Sequence, residues 1–300
     1  MTELTVVIVS YNVRDLLRRC LTELQARLAG WEAEVVVVDN ASSDGTAEMV
    51  SREFPGVRVI ANSENLGFPG PNNQAMRVTD SRYVLLLNSD AFLGEHALEE
   101  MLQVMESDER IAVVGPRMGN GEGTRLATAH AFETLPRLAV TALGLQRRLP
   151  KAMARRVARY FGRSGAQHLA SYEATEPQPA DWVSGACMLV RRSAAEQVGL
   201  LDEGFFIYME DEDWCRRFWQ AGFRVVYAPS AQIVHLVAGA TSATLRFARI
   251  LRDSRLRYHR RYHRRLYPAF WLLAQLDAAR QCGWVGLLRT PQCRAPEVRA

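Results

Sequence analysis

The chain predicts an α/β protein with a mostly parallel central sheet and helices on both faces. Three observations carry that reading. Short β-branched apolar runs alternate with helix-period patterns through the first 115 residues. The runs are apolar at successive positions, as strands buried on both faces are. Polar clusters follow several of these runs, at the strand ends where such sheets bind ligands. In order, residues 4–10 form the first strand, and Leu16, Leu17, Cys20, Leu21 and Leu24 form one face of the first helix. Residues 34–38 are the second strand, with a helix from residues 43–45 to about 54. Residues 57–61 are a third strand, a helix spans 72–78, and 83–87 are the fourth strand. A helix over 95–107 leads to the fifth strand, 111–115. Residues 117–180 lack periodicity, contain Pro136, Pro150, Pro177 and Pro179, and read as a variable excursion that is partly helical around 151–162. A strand over 182–191, a helix over 211–221 and a strand over 224–227 follow, and residues from 243 onward are mainly helical. The expected division is one domain over 1–242 and a basic, helical C-terminal extension over 243–300.

Composition narrows the class. Three hundred residues with 48% hydrophobic content can bury a full core. Cys20, Cys187, Cys215, Cys282 and Cys293 form no CxxC pair, which argues against a disulfide framework or zinc site and suits a reducing cytoplasm. The start lacks the basic, apolar pattern of a signal peptide. Asp277 and Arg280 interrupt the apolar stretch over 268–288, so a membrane span is not expected there.

Glu210, Asp211, Glu212 and Asp213 are four consecutive acids opening a helix. Acids in a first helical turn gain from the macrodipole. One or two would serve that purpose; four repel one another unless a cation or a proton transfer uses them. Polar clusters at Ser10, Tyr11 and Asn12, at 39–45, at Asn65 to Phe68 and at Asn88, Ser89 and Asp90 are each also what a turn or N-cap would use.

Together, in their order and spacing, these clusters resemble the inverting nucleotide-sugar glycosyltransferases of family 2, which adopt the GT-A fold. The likeness also takes in residues 182–187, the acidic segment and the run from His235 to residue 241, and it spans roughly residues 4–262. Within the family it is closest to rhamnosyltransferase-like members that build cell-surface polysaccharides. The resemblance implies that Ser10, Tyr11, Asp39, Asn65, Asn72, Ser89 and Asp90 bind the donor, with Tyr11 and Asp39 on the base and ribose. It implies that Asp90, with His235, holds a divalent cation, Mg2+ or Mn2+, on the donor diphosphate; such hard cations take oxygen ligands and keep positions open for phosphate. The family's Glu-Asp pair falls on Glu210 and Asp211, making Asp211 the catalytic base, with Trp182, Glu210 and Asp213 on the acceptor side. Residues 117–180 would then shape the acceptor side.

This chain departs from the family where Pro69 and Pro71 replace glycines, which predicts a stiffened loop lacking two backbone donors. The stretch from Gly121 to Leu126 is similar to a sugar nucleotidyltransferase signature, but it follows the fifth strand rather than the first. The expected activity is transfer of rhamnose from dTDP-rhamnose onto a surface-glycan or polyprenyl-linked acceptor. A UDP-hexose donor is the alternative within the class, and a non-catalytic nucleotide-sugar or glycan-binding protein the alternative outside it.

Between residues 246 and 265 lie nine arginines, His259 and His263, with Asp253 the single acid. The segment reads equally as a solvated helix face or as contact with an anionic membrane, each arginine adding about 1 kcal/mol at such a surface. No nucleic-acid signature accompanies it. The expected location is cytoplasmic, peripheral on the inner face of the cell membrane.

Overall fold

The computed structural model describes residues 2–144, 174–236 and 245–282. The helix expected around 151–162 and the end of the run beginning at His235 lie outside them.

The first half alternates as expected: β1 (Thr2–Ser10), α1 (Arg14–Arg27), β2 (Ala33–Asp39), α2 (Thr46–Glu53), β3 (Arg58–Ala61), α3 (Pro69–Arg77) and β4 (Ser81–Asn88). A short strand β5 (Ala91–Leu93) precedes α4 (Ala97–Glu106), and β6 (Ile111–Gly119) forms a hairpin with β7 (Arg125–Leu126). That hairpin is where the nucleotidyltransferase-like run lies. β8 (Ala129–His130) and α5 (Leu135–Ala142) close this part. After β9 (Gln178–Pro179), the strand expected over 182–191 is two strands, β10 (Trp182–Val183) and β11 (Cys187–Arg191). The turn between them contributes Ser184, Gly185 and Ala186 to the cleft described below. Then come α6 (Arg192–Val198), α7 (Glu210–Gln220), β12 (Arg224–His235), α8 (Leu245–Tyr262) and α9 (Tyr267–Cys282).

The sheet runs β3-β2-β1-β4-β11-β6-β12-β5, with β7 beside β6 and β9 beside β12. β3, β2, β1 and β4 are parallel, as is the β6–β12 pair, whereas β11 lies antiparallel between β4 and β6 and β5 lies antiparallel to β12. Strand order reverses beside β1, so a crevice opens at the carboxyl ends of β1 and β4. β12 outruns the expected strand at 224–227 because a register shift between Ala228 and Gln232 absorbs Pro229, and the strand continues to His235.

Period-two alternation sends side chains to two cores. Leu4, Val6 and Ile8 join Leu17, Leu21, Met101 and Met105 on the α1 and α4 face. Val7, Val84 and Leu86 join Met76, Trp214 and Phe218 on the α3 and α7 face.

The prolines act differently from the stiff loop expected of them. Pro69 and Pro71 lie in the first turn of α3, where backbone N–H groups have no intrahelical acceptor, so their missing donors cost little.

The basic segment also departs from a solvated face. Tyr258 and His259 are fully buried. Arg255 bridges Glu133 at 3.1 Å and Asp277 at 2.6 Å, while His259 Nε2 meets Glu133 at 2.9 Å and its ring stacks on Phe270. α8 therefore packs between the acidic helix and α9, and α9 packs on α5. Asp213 anchors this arrangement: it is fully buried and accepts hydrogen bonds from Arg217 at 2.9 Å, Arg261 at 3.1 Å and the Tyr262 hydroxyl at 2.7 Å.

Removing one member of a buried ion pair strands its partner. Asp213→Ala should therefore lower the unfolding free energy by about 3–5 kcal/mol in urea titrations.

Candidate active site

A cleft of about 430 Å3 opens at the carboxyl ends of β1 and β4. Tyr11, Asn40, Asn65, Ser89, Asp90, Glu210, Asp211 and His235 all line it. Six of these were singled out from the sequence as donor, metal or acid residues; Glu210 was placed on the acceptor side and Asn40 was not singled out.

On one side, the chain turns sharply after β1 and β2. Asn12 and Ala41 take left-handed conformations with φ of 53° and 67°. The Asn12 backbone N–H donates to Ser42 Oγ at 2.9 Å, and Asn12 Oδ1 accepts from the Ser43 N–H at 2.8 Å. Asn40 ties the next loop to this corner, donating to Asn65 Oδ1 and the Gly67 carbonyl, both at 2.9 Å, and accepting from the Leu66 N–H at 3.0 Å. Gly67 has φ of +78°, and a Cβ there would strike the Phe206 backbone. The Phe68 N–H donates to that same Phe206 carbonyl at 2.7 Å. The loop and the segment leading into α7 thus form one wall.

Ser10 and Asp39 are register partners at the ends of β1 and β2, both buried and set just behind the lining residues. Ser10 Oγ and Asp39 Oδ1 have no hydrogen-bond partner, and burial raises the proton affinity of Asp39. Such orphaned buried oxygens are costly unless a ligand satisfies them. Asn72 is 1% exposed and donates to the Phe68 carbonyl at 2.8 Å, anchoring the loop from behind.

Across the crevice, β4 ends in Asn88, and Ser89 and Asp90 follow it. His235 ends β12, and its Nε2 lies 3.2 Å from Asp90 Oδ1 and 3.4 Å from Asn88 Nδ2. Among the described residues no group of three or more His, Cys, Asp or Glu side chains could enclose a cation. A carboxylate oxygen and an imidazole nitrogen this close nevertheless form a two-donor set. They would suit a divalent cation, which would need further oxygen ligands from elsewhere.

The acidic turn supplies the remaining wall. Tyr208 and Met209 enter α7 with φ of 70° and 71°, outside the range ordinary residues favour, which turns the helix start toward the cleft. The four acids then diverge. Glu210, 4% exposed, keeps Oε2 without a partner, and its proton affinity is raised well above the ordinary range by burial and then by the Asp211 charge. Asp211 keeps partial exposure on the cleft, accepting from the Gly185 N–H at 3.2 Å and the Glu212 N–H at 2.9 Å. Burial pushes its pKa up to about 6 against those hydrogen bonds. Glu212 faces away from the cleft, accepting from the Glu133 N–H at 2.6 Å and from the Tyr258 hydroxyl. Burial, with the Glu133 charge, pushes its pKa up to about 8. Asp213 is fully buried and taken up by its three donors. Trp182 likewise stacks on His130 at 4.1 Å and donates to the Ala131 carbonyl, away from the lining.

Residues 5–199 match the family described as Glycosyl transferase family 2. This chain belongs to that family. It is 29% identical over 251 residues to an N-acetylglucosaminyl-diphospho-decaprenol L-rhamnosyltransferase of Mycobacterium tuberculosis, covering 79% of this chain and 77% of that one. It is 27% identical over 241 residues to Rhamnosyltransferase WbbL of Escherichia coli, covering 77% and 82% respectively. The structure is similar to mannosyltransferase PcManGT from Pyrobaculum calidifontis, solved with GDP-Man and Mn2+, with TM-score 0.58, 18% identity, and coverage of 93% of this chain and 69% of that one. It is also similar to residues 1–349 of Staphylococcus aureus TarS with UDP-GlcNAc, with TM-score 0.54, 16% identity, and coverage of 92% and 73%. The protein is a glycosyltransferase of GT-A fold.

Sequence reasoning missed how this glycosyltransferase supports its acidic turn. Glu133, Ser254, Tyr258 and Phe247 all reach it or its approach: Ser254 donates to the Ile207 carbonyl at 2.9 Å, and Phe247 packs edge-on against Tyr208 at 5.1 Å. The signal was present, because Leu251, Ser254, Arg255, Tyr258, His259 and Tyr262 recur at one-face helical spacing through the arginines.

A carboxyl whose folded pKa is raised binds more protons folded than unfolded, so its contribution to stability is lost as pH rises toward that value. Stability should fall between roughly pH 4.3, the ordinary Glu value, and about 8 for Glu212. Glu212→Gln should flatten that decline by up to about 1.4 kcal/mol per pH unit, read from urea midpoints across the range.

Proposed function

We propose that this glycosyltransferase is an inverting, metal-dependent enzyme moving rhamnose from dTDP-rhamnose onto a lipid-linked glycan acceptor in surface polysaccharide synthesis. The observation that carries the reaction is one cleft holding both the Asp90–His235 pair and Asp211, a carboxylate with a pKa of about 6. Two relatives named as rhamnosyltransferases, one of them for a decaprenyl diphosphate-linked substrate, support the sugar and the acceptor class.

The donor nucleotide lies along the wall of Tyr11, Asn40 and Asn65, where the orphaned oxygens of Ser10 and Asp39 accept from its base and ribose. Asp90 and His235 hold Mg2+ or Mn2+; neighbours of the same fold solved with Mn2+ support that assignment. When bound, the cation stabilises the negative charge that develops on the departing diphosphate. Asp211 accepts the proton of the acceptor hydroxyl as that oxygen attacks the anomeric carbon from the face opposite the diphosphate. Direct displacement inverts the sugar. The Gly185 N–H holds the carboxylate in place. Glu210, favoured in its neutral form, spares the base a second adjacent charge and can donate to the acceptor. We read residues 1–242 as the transferase domain and 243–300 as the extension that buttresses its acidic helix. A polyprenyl-linked acceptor makes the enzyme peripheral at the inner membrane face.

Asp211→Asn should lower transfer by about 10²–10⁴-fold and leave nucleotide affinity near wild type; normal turnover would remove Asp211 from the role. In the wild type, kcat/KM should fall as pH drops below about 6, because the base becomes protonated. Calorimetry with dTDP, UDP and GDP, each with and without Mn2+, tests the donor. Metal-dependent binding of dTDP alone fits the proposal, a UDP preference replaces the sugar nucleotide, and no binding by folded protein points to a non-catalytic role.

A further inference from the structure

The arginine-rich helix spends much of its charge inside the molecule. Arg255 is paired with Glu133 and Asp277, Arg257 with Asp202, and Arg261 with Asp202 and Asp213. Arg252 pairs with its neighbour Asp253. A helix lying flat on a membrane through residues 246–265 would have to give up these contacts. The basic surface left over is smaller and is displaced toward the C-terminus.

It gathers at the elbow between α8 and α9. Arg260, Arg264 and Arg265 are exposed there, and among the described residues they have no ion-pair partner. The chain then exposes Leu266 at 52%, Trp271 at 46% and Leu272 at 54%. Leu66, Val78 and Leu143 are the other exposed large hydrophobic side chains among the described residues, Leu66 less so at 36%, and they are spread widely along the chain. Clustering of the elbow three is therefore not the ordinary scatter of surface apolar groups. Pro268, Trp271 and Leu272 share one face of α9, while the opposite face buries Phe270, Ala274 and Asp277 in the protein. Beside them is a hollow of about 600 Å3 lined by Asp202, Leu256, Arg257, Arg260, Arg261 and Tyr267. Arg257 and Arg261 are paired there with Asp202, which leaves the Arg260 guanidinium to match phosphate oxygens.

Exposed leucines, a tryptophan and three exposed arginines with no ion-pair partner among the described residues fit the boundary of an anionic bilayer. There the ring and leucines enter the acyl edge and the guanidinium groups meet headgroup phosphates. Nucleic acid would use the arginines but offers nothing to two leucines.

We propose that the α8–α9 elbow is the surface by which this enzyme docks on anionic phospholipid. Leu266, Trp271 and Leu272 enter the interface while Arg260, Arg264 and Arg265 contact headgroups. The proposal deepens the lipid-linked reading above and rests on it only for where the enzyme works.

The test is co-sedimentation of the full chain with phosphatidylcholine vesicles, with and without phosphatidylglycerol, at low and high salt. Binding should require phosphatidylglycerol and weaken with salt. The triple variant Arg260→Gln, Arg264→Gln, Arg265→Gln should lose affinity by about 5-fold per arginine, about 100-fold together. Trp271→Ser with Leu272→Ser should lose binding even at low salt, and brominated lipid should quench a fluorescence component that Trp271→Phe removes. Nucleotide affinity should be unchanged in all of these variants, which also shows that they are folded. Arg19→Gln, Arg52→Gln, Arg82→Gln, exposed elsewhere, should bind vesicles like wild type. Wild-type protein that ignores phosphatidylglycerol, elbow variants that still bind, or equal losses in the two triple-arginine variants would each overturn the docking surface. Vesicle binding needs no sugar transfer, so failure here is separable from failure of the proposed reaction.

Discussion

Four successive acids in the first turn of α7, three of them buried and Asp211 half-buried, are the constraint around which this half of the molecule is arranged. Carboxylates removed from water are costly unless they are paired, hydrogen-bonded or protonated. The fold uses all three remedies within one turn. Asp213 takes three donors and becomes structural. Glu212 is pushed toward its protonated form against Glu133 and Tyr258. Glu210 is pushed the same way beside the cleft, and Asp211 alone keeps both partial exposure and a pKa near the range useful to a base. The helix macrodipole favours negative charge at this end and adds to the arrangement.

The C-terminal helices therefore support the acidic turn. Tyr262 and Arg261 reach Asp213, Tyr258 reaches Glu212, and Arg255 with His259 reaches Glu133, whose backbone N–H also donates to Glu212. The basic segment is the counter-charge of the acidic one, drawn from residues about fifty positions later. A pair so distant in sequence folds only when the sheet has brought both partners together.

The same distance marks what the sequence made legible. Strand and helix periodicities are local, so β1 to β4 and their helices were readable within a few residues. The polar clusters at Tyr11, Asn65 and Asp90 were readable because loops at the strand ends of an α/β sheet converge on one crevice. The motif around Asn72 does not say whether its amide faces a ligand or, as here, the Phe68 carbonyl. Nor do residue type and spacing reveal the partners of Asp213 and Trp182, which are Arg217, Arg261 and Tyr262 for the first and His130 and the Ala131 carbonyl for the second. Pro69 and Pro71 read as loop residues, since a proline's cost depends on whether its N–H was needed, and in a first helical turn it was not. Pro229 hid the second half of β12 because a bulge has no local signature of its own.

In the proposed reaction one carboxylate, Asp211, deprotonates the acceptor during direct displacement at the sugar. The anomeric configuration of the first-formed product, followed by NMR with the nucleotide sugar the enzyme accepts, tests it most directly. A configuration opposite to that of the donor is expected. Retention of the donor's configuration would require a second displacement and a nucleophile, and would contradict the role assigned to Asp211.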